Sequence, residues 1–350
     1  MKNEHIRLST DEKITLFISL ATMLGAGITI IETIDSLLED SKGNMKKVLT
    51  ALKEDLIQGK RIHVSFSKFP NVFDSVTVSI IKAAEEAGTL DTTLKQIKEN
   101  LQKEAEFLNS IRSALMYPFF IVVTFLAIFF MILIVVIPKI SSVFTSLKMT
   151  LPLPTKILIF LSNIVTKQTL PFLIGLSIFL VLFVFLYQTQ RKRFSQFFYS
   201  LPGISQLVIQ IDLVRFTRSM AMLYSSGITI TSSLELCEGI VNSQKVVDMI
   251  HQAKMIIFSG KKLSDSLKAH KKIVPSIMIK IIEAGERSGS LEESLREVAF
   301  FLDYQVGRTL KVLTTLIEPV MLVLVGGMVG GMMLAIIAPI YGLISQIGGM

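Results

Sequence analysis

The sequence predicts an all-α integral membrane protein: two homologous cytoplasmic helical bundles attached to three transmembrane helices. Three observations predict it. A stretch of the chain is written twice, long charge-free runs follow each copy, and no alternating strand pattern of useful length occurs anywhere. Instead apolar residues recur at helical spacing, as in Leu94, Ile97, Leu101, Leu108 and Ile111.

The repeat fixes the domains. Ile80-Ile81-Lys82-Ala83-Ala84-Glu85-Glu86-Ala87-Gly88-Thr89-Leu90 recurs 201 residues later as Ile281-Ile282-Glu283-Ala284-Gly285-Glu286-Arg287-Ser288-Gly289-Ser290-Leu291. At the same offset Gly59 meets Gly260, Leu94 meets Leu295, Tyr117-Pro118 meets Glu318-Pro319, and Pro138 meets Pro339. Upstream, Gly27-Ile28-Thr29-Ile30 meets Gly227-Ile228-Thr229-Ile230 at an offset of 200. One residue separates the two registers.

The first cytoplasmic domain is expected at 1–118. Residues 14–31 within it carry no charge over eighteen positions, long enough to invite a membrane assignment. Their counterpart, 216–233, holds Arg218 and several serines and threonines, a composition unsuited to lipid. A span at 14–31 would also carry one domain across the membrane and break the equivalence of the copies. The expectation is a buried helix pair, with Leu24-Gly25-Ala26-Gly27 as the turn and Thr29 with Glu32 as a capping box.

Further along, Gly88 and Gly289 stand where a helix stops on a left-handed residue. Thr89 and Ser290 follow as N-caps, and Ser290 with Glu293 reads as a second capping box. Chain geometry thus accounts for the Glu-x-x-Gly-x-Leu corner. A phosphate cradle would need a Gly-x-x-x-x-Gly-Lys-Ser/Thr pattern, which is absent. Glu85 and Glu286 keep two readings: each locks its helix hairpin by a hydrogen bond, or each faces a partner.

The first transmembrane helix is expected at 119–137, entered at Pro118 and ended at Pro138. An extracytoplasmic loop at 138–169 follows, its amphipathic part at 156–165 lying along the membrane surface. Two parallel copies need a return span, supplied by 170–187, which has no twin and ends at Arg191-Lys192-Arg193. The second cytoplasmic domain is expected at 188–315, the third span at 316–340 between Pro319 and Pro339, and an extracytoplasmic tail at 341–350. Segments 1–118 and 188–315 hold 32 of the 36 Lys and Arg residues, which places them, and the N-terminus, in the cytoplasm and the C-terminus outside. No signal peptide is read before the first domain.

Composition excludes other classes. Apolar residues make up 51% and charged residues 18%, with mean hydropathy +0.58. One cysteine, Cys237, leaves no intramolecular disulfide or thiolate zinc cluster, though as the sole thiol it suggests a topology label. The four histidines lack ligand spacing, so no metal or cofactor is expected. The net charge of +8 fits a cytoplasmic face beside anionic lipid; without a basic stripe interleaved with aromatics, it does not indicate nucleic acid.

The duplicated Gly-Ile-Thr turn, the Ala-Gly-Glu-Arg-Ser-Gly-Ser-Leu corner at 284–291, the Tyr-Pro and Glu-Pro span entries and the final Ala-Pro-Ile together resemble the type II secretion F and type IV pilus platform family, which includes competence pseudopilus platforms. The resemblance extends from about Leu16 to Ile344. It implies a non-enzymatic protein of the cytoplasmic membrane with two related cytoplasmic bundles of about six helices each, which forms homo-oligomers, sits over a hexameric assembly ATPase, and works with other inner-membrane assembly proteins. It implies too that pilin or pseudopilin subunits are moved from the bilayer into a filament.

Two features of the third span invite functional readings. Glu318 is the sole ionisable residue there, either pairing with a positive group on another subunit or pilin, or snorkelling at the edge. Gly326, Gly327, Gly330 and Gly331 form two overlapping Gly-x-x-x-Gly patterns, a packing face for another helix. The alternative function is a small-solute transporter or other polytopic membrane protein, for which three spans and one carboxylate are thin provision.

Overall fold

The computed structural model describes residues 6–146, 153–167 and 204–347, and all regular secondary structure among the described residues is helical, with no strand. Copy 1 comprises α1 (Thr10–Gly25), α2 (Ile30–Asp40), α3 (Gly43–Ile57), α4 (Ile62–Phe66), α5 (Ser75–Ala87) and α6 (Leu90–Met131). After α6 come a π-helical segment, Ile132–Val136, then α7 (Ile137–Ser146) and α8 (Leu153–Lys167). Copy 2 comprises α9 (Ile204–Ser225), α10 (Ile230–Glu238), α11 (Gln244–Phe258), α12 (Leu263–Ala269), α13 (Ser276–Ser288) and α14 (Leu291–Ile347). The return span expected at 170–187 lies outside the described residues.

The chain divides into two compact units. One joins Met1–Ser110 with Tyr199–Arg308, so the helical parts of both copies share it; the other joins Ile111–Phe198 with Thr309–Met350. The expected domain ends at 118 and 315 fall inside unbroken helices, α6 and α14.

Local chemistry explains the starts and stops. Ser9 and Glu12 form a capping box on α1, as Thr29 and Glu32 do on α2, and Asp74 accepts from Thr77 N (2.7 Å) at the start of α5. Gly27 (φ 82°) turns the chain between α1 and α2, so residues 14–31 form a helix pair rather than one long helix. Leu16, Phe17 and Leu20 of α1 are buried in the first unit. Phe17 packs edge-on against Phe66 and Phe73, which stack with centroids 4.0 Å apart. Burying each such ring contributes about 1.5–3 kcal/mol. The second predicted capping box is different: Ser290 Oγ pairs with Ser288 Oγ at 2.6 Å, and among the described residues no bond joins it to Glu293.

Two runs are long and apolar enough to cross a membrane, the continuous helix Leu90–Ser142 and Leu291–Gly331 within α14. The helix itself does not stop at Pro138, the residue that bounds the expected span. The helix shifts into π register before it and continues to Ser146; α14 likewise passes Pro339 and reaches Ile347. Ile137 N–H donates to the Ile132 carbonyl, five residues back. In that register Pro138, lacking an N–H, leaves the Leu133 carbonyl unpaired. Ser162 Oγ of α8 donates to that carbonyl at 2.6 Å, a neighbouring hydroxyl satisfying what proline frees. The amphipathic stretch expected along the membrane surface is part of α8, which packs on the π segment and α7.

Candidate functional site

The repeated corner is the first candidate. In copy 1, Gly88 (φ 67°) ends α5, and Glu85, one turn earlier, reaches back across the hairpin. Its carboxylate accepts from Ile62 N (2.7 Å) and His63 N (3.3 Å), the first amides of α4, and also meets His63 Nδ1 at 2.5 Å. In copy 2, Gly289 (φ 77°) ends α13, and Glu286 accepts from Leu263 N (2.7 Å) and Ser264 N (3.2 Å) of α12. Each glutamate thus caps a helix 23 residues upstream that has no cap of its own. A carboxylate at a helix N-terminus satisfies orphan amides and complements the dipole. The arginine and lysine that precede these helices, Arg61 and Lys262, cannot accept those bonds, which is why the acceptor comes from afar.

Close approach marks copy 2. A Cβ added to Gly285 would lie 2.1 Å from Ser294 Oγ and 2.6 Å from Ser294 Cβ, so α13 and α14 touch there without room for a methyl group. The copy 1 twins are Ala84 and Thr93, both buried.

The second candidate is the seam between copies, which the sequence did not disclose. α5 packs on α9 and α10. Asn100 Nδ2 of α6 reaches Met222 Sδ of α9 at 2.9 Å. Arg218 of α9 lies 5.6 Å over the Phe107 ring of α6 and bonds Asp303 of α14 at 2.5 Å. One guanidinium therefore touches both helices that run on into the apolar segments. Burial raises the Asp303 carboxyl above its ordinary range, a rise that Arg218 and Lys103 only partly offset. The one signal in the sequence was Arg218 itself, a charge within 216–233 where the copy 1 counterpart 14–31 has none. A second missed group, Asp212, is buried and accepts from Ser243 N (2.6 Å) and Asn242 N (2.9 Å) in the turn that leads into α11. Burial raises its carboxyl too, against the pull of those amides.

The remaining predicted residues lie apart from the corner. Glu318 is exposed on α14 and has no partner among the described residues. Beside Gly326, Gly327, Gly330 and Gly331 nothing comes within 4 Å of where a Cβ would stand. Pro118 and Pro319 sit within α6 and α14 and do not interrupt them. Cys237 is fully buried, which pushes its thiol well above the ordinary range and spoils it as a topology label.

These features define a class: a duplicated all-helical membrane protein in which each copy passes from a packed helical body into a long apolar helix. A model of the type II secretion system protein F family matches residues 16–138 and again 216–339, and the chain belongs to that family. The two matches coincide with the internal repeat. The chain is 30% identical over 332 residues to the type IV pilus assembly protein PilC of Thermus thermophilus, covering 94% of this chain and 81% of that protein. It is 26% identical to PilC of Pseudomonas aeruginosa (94% and 89% covered) and 26% identical to the type II secretion system protein F of Vibrio cholerae (95% and 82%).

Proposed function

We propose that the protein is the inner-membrane platform of a type IV pilus or type II secretion filament machine. It couples a hexameric cytoplasmic assembly ATPase to the transfer of pilin or pseudopilin subunits from the bilayer into the filament, without catalysing a reaction itself. The observation that carries this reading is the continuity of α6 and α14. The helix that closes each packed body is the same helix that becomes apolar enough to span. Arg218, in contact with both helices, would make them move together.

In this reading residues 1–118 and 188–315 face the cytoplasm, the return span is 170–187, and the C-terminus lies outside. Glu318 faces a positive group on another subunit or a pilin, and the Gly326–Gly331 face packs on a neighbouring helix.

The test is affinity capture of the tagged full chain from native membranes. The expected result is co-purification of an assembly ATPase and of small proteins with one N-terminal apolar helix. Recovery of neither, with solute binding instead, would overturn the proposal. Glu318→Gln should reduce filament number at normal protein level, and unchanged filaments would remove Glu318 from it. A thiol introduced as Ser259→Cys, at an exposed position, should resist an impermeant reagent applied to intact cells.

A further inference from the structure

The first apolar helix does not stand alone at its far end. After α7 closes at Ser146, six residues lead into α8, which packs on both α7 and the π segment. Lying against two successive stretches of one helix, α8 runs alongside its axis rather than across it. The short connection joins the far ends of α7 and α8, and Ser162 Oγ then meets the Leu133 carbonyl at 2.6 Å, so the two limbs are antiparallel. Leu133 stands four residues before Ile137, the end of the expected span. Ser162 is therefore level with a point about 6 Å inside the apolar stretch, and Phe160 and Leu161 stand within the same stretch.

Around that level the hairpin is apolar outside and polar inside. On α8, Ile157 is 59% and Phe160 66% exposed, with Leu161 exposed beside them; on the first span Met131, Ile134 and Val135 are exposed. Ser162, by contrast, is 2% exposed, its hydroxyl proton given to the carbonyl that Pro138 frees. Pairing polar groups inward suits hydrocarbon, where neither a hydroxyl nor a carbonyl can stay unpaired, whereas in water the outward faces would form a large bare apolar patch. Charge marks the edge of the belt. Six residues outward from the bonded pair, each limb carries an exposed lysine, Lys139 on α7 and Lys156 on α8. The pair lies about 9 Å along α8 from Ser162, past the end of the expected span. Residues 138–169 hold four Lys and no Asp or Glu, a composition that suits headgroup phosphates.

We infer that α8 is a lipid-binding element, inserted antiparallel to the first span in the leaflet where that span ends. Phospholipid acyl chains cover Ile157, Phe160 and Leu161, continuous with the lipid-facing side of the span, and the phosphate headgroups of anionic phospholipid sit on Lys139 and Lys156. The stretch expected along the membrane surface thus stands upright within the leaflet, which in the topology proposed above is the outer one. The inference rests on 119–137 being a span.

Depth in the bilayer tests it. The full chain, reconstituted into phosphatidylglycerol-containing vesicles, carries one spin label at a time, read by its opposed accessibility to oxygen and to a water-soluble nickel chelate. Labels go on single cysteines at exposed positions, Cys237 being buried, and Ser142→Cys on α7 supplies the water-phase reference. An inserted α8 gives depth that rises with residue number, from Ile157→Cys through Phe160→Cys to Leu161→Cys, the last about 6 Å deeper than the first. Leu161→Cys should also match Ile134→Cys within about 3 Å, two residues of helix rise. Equal depth at all three α8 positions, as for a helix lying flat, would overturn the inference. So would water exposure of the Phe160 and Leu161 labels beside a deep Ile134 label. An Ile134 label in water would instead overturn the span itself, so the two failures are told apart. Lys139→Gln with Lys156→Gln should lower by about half or more the phosphatidylglycerol that co-purifies with the chain in mild detergent. An unchanged amount would remove the headgroup contact from the proposal.

Discussion

Copies 1 and 2 keep the same corner and fill it differently. Glu85 and Glu286 cap the same helix with amide distances that agree within 0.1 Å, 2.7 and 3.3 Å against 2.7 and 3.2 Å. Around them the packing has drifted. The stacked Phe66 and Phe73 of copy 1 are Leu267 and Val274 in copy 2, and Phe17 is Thr217, each still buried. Buried positions tolerate such exchange where the surrounding core repacks around the changed volume. A directional bond to two orphan amides does not, because nothing else nearby accepts them. The difference teaches which part of the duplicated design is held by geometry and which by volume.

The strongest way to break that comparison is to remove the acceptors. Glu286→Ala should cost about 3 kcal/mol, since hydrogen bonds to a charged group contribute about 1.5–3 kcal/mol and two amides lose their partner. Glu85→Ala should cost the same within about 1 kcal/mol, the margin being its extra contact with His63. Thermal unfolding of the purified full chain checks both. A loss at one copy and none at the other would show that the corner serves only half of the protein.

Arg218→Ala should come next, at about 2 kcal/mol, below the about 3–5 kcal/mol of a fully buried pair because both side chains keep some exposure to water. Its pH dependence is specific. The Asp303 carboxyl is raised in the folded protein, and losing Arg218 raises it further. The folded state then binds the proton more tightly than the unfolded state. The added cost is therefore absent below the wild-type folded value, which already lies above the ordinary carboxylate range. It grows as pH rises from there toward the variant's still higher value, and levels off above that. A cost that was flat from acid to neutral pH would show that the guanidinium acts by packing on Phe107 alone.

Gly285→Ala sharpens the comparison in the other direction. The methyl group would gain about 1 kcal/mol of helix propensity yet overlap Ser294 Cβ, and overpacking costs about 1–3 kcal/mol. The net expectation is a loss of about 1 kcal/mol, relieved by Ser294→Gly. At the twin position, Ala84→Gly should cost about 1–2 kcal/mol, through lost helix propensity and the loss of a buried methyl group. Melting temperatures of the three variants decide it.

Sequence periodicity was enough to read the repeat, the helix pair at 14–31, the turns at Gly27, Gly88 and Gly289 and the Thr29 cap, because each depends on residues within a few positions of one another. What escaped was set by distance. Glu85 has no local explanation in the sequence, because the amides it caps begin 23 residues away, beyond any local pattern. Asp303 is one charge among many until packing brings Arg218 to it. Pro138 reads as an end because a proline usually stops a helix. Its orphaned carbonyl is instead satisfied by Ser162, 29 residues beyond Leu133. The seam between the copies is invisible for the same reason.

The smallest effect tests the place where the copies part company altogether. Leu133 is 3% exposed beneath α8, while its twin Leu334 is 70% exposed. If α8 is held to the π segment by the carbonyl that Pro138 frees, Ser162→Ala should cost about 1 kcal/mol, within the range of hydrogen bonds between helices in membranes. Pro138→Ala changes the terms, because it restores an N–H that can serve the Leu133 carbonyl from within the helix. The double variant should then lose no more than Pro138→Ala alone, giving a coupling energy about equal to the cost of Ser162→Ala. Additive losses would mean that the hydroxyl and the proline act independently, and that the π segment has another cause. A cycle measured by thermal unfolding in one detergent separates the outcomes, since both substitutions lie in the same helical hairpin and share one unfolded reference.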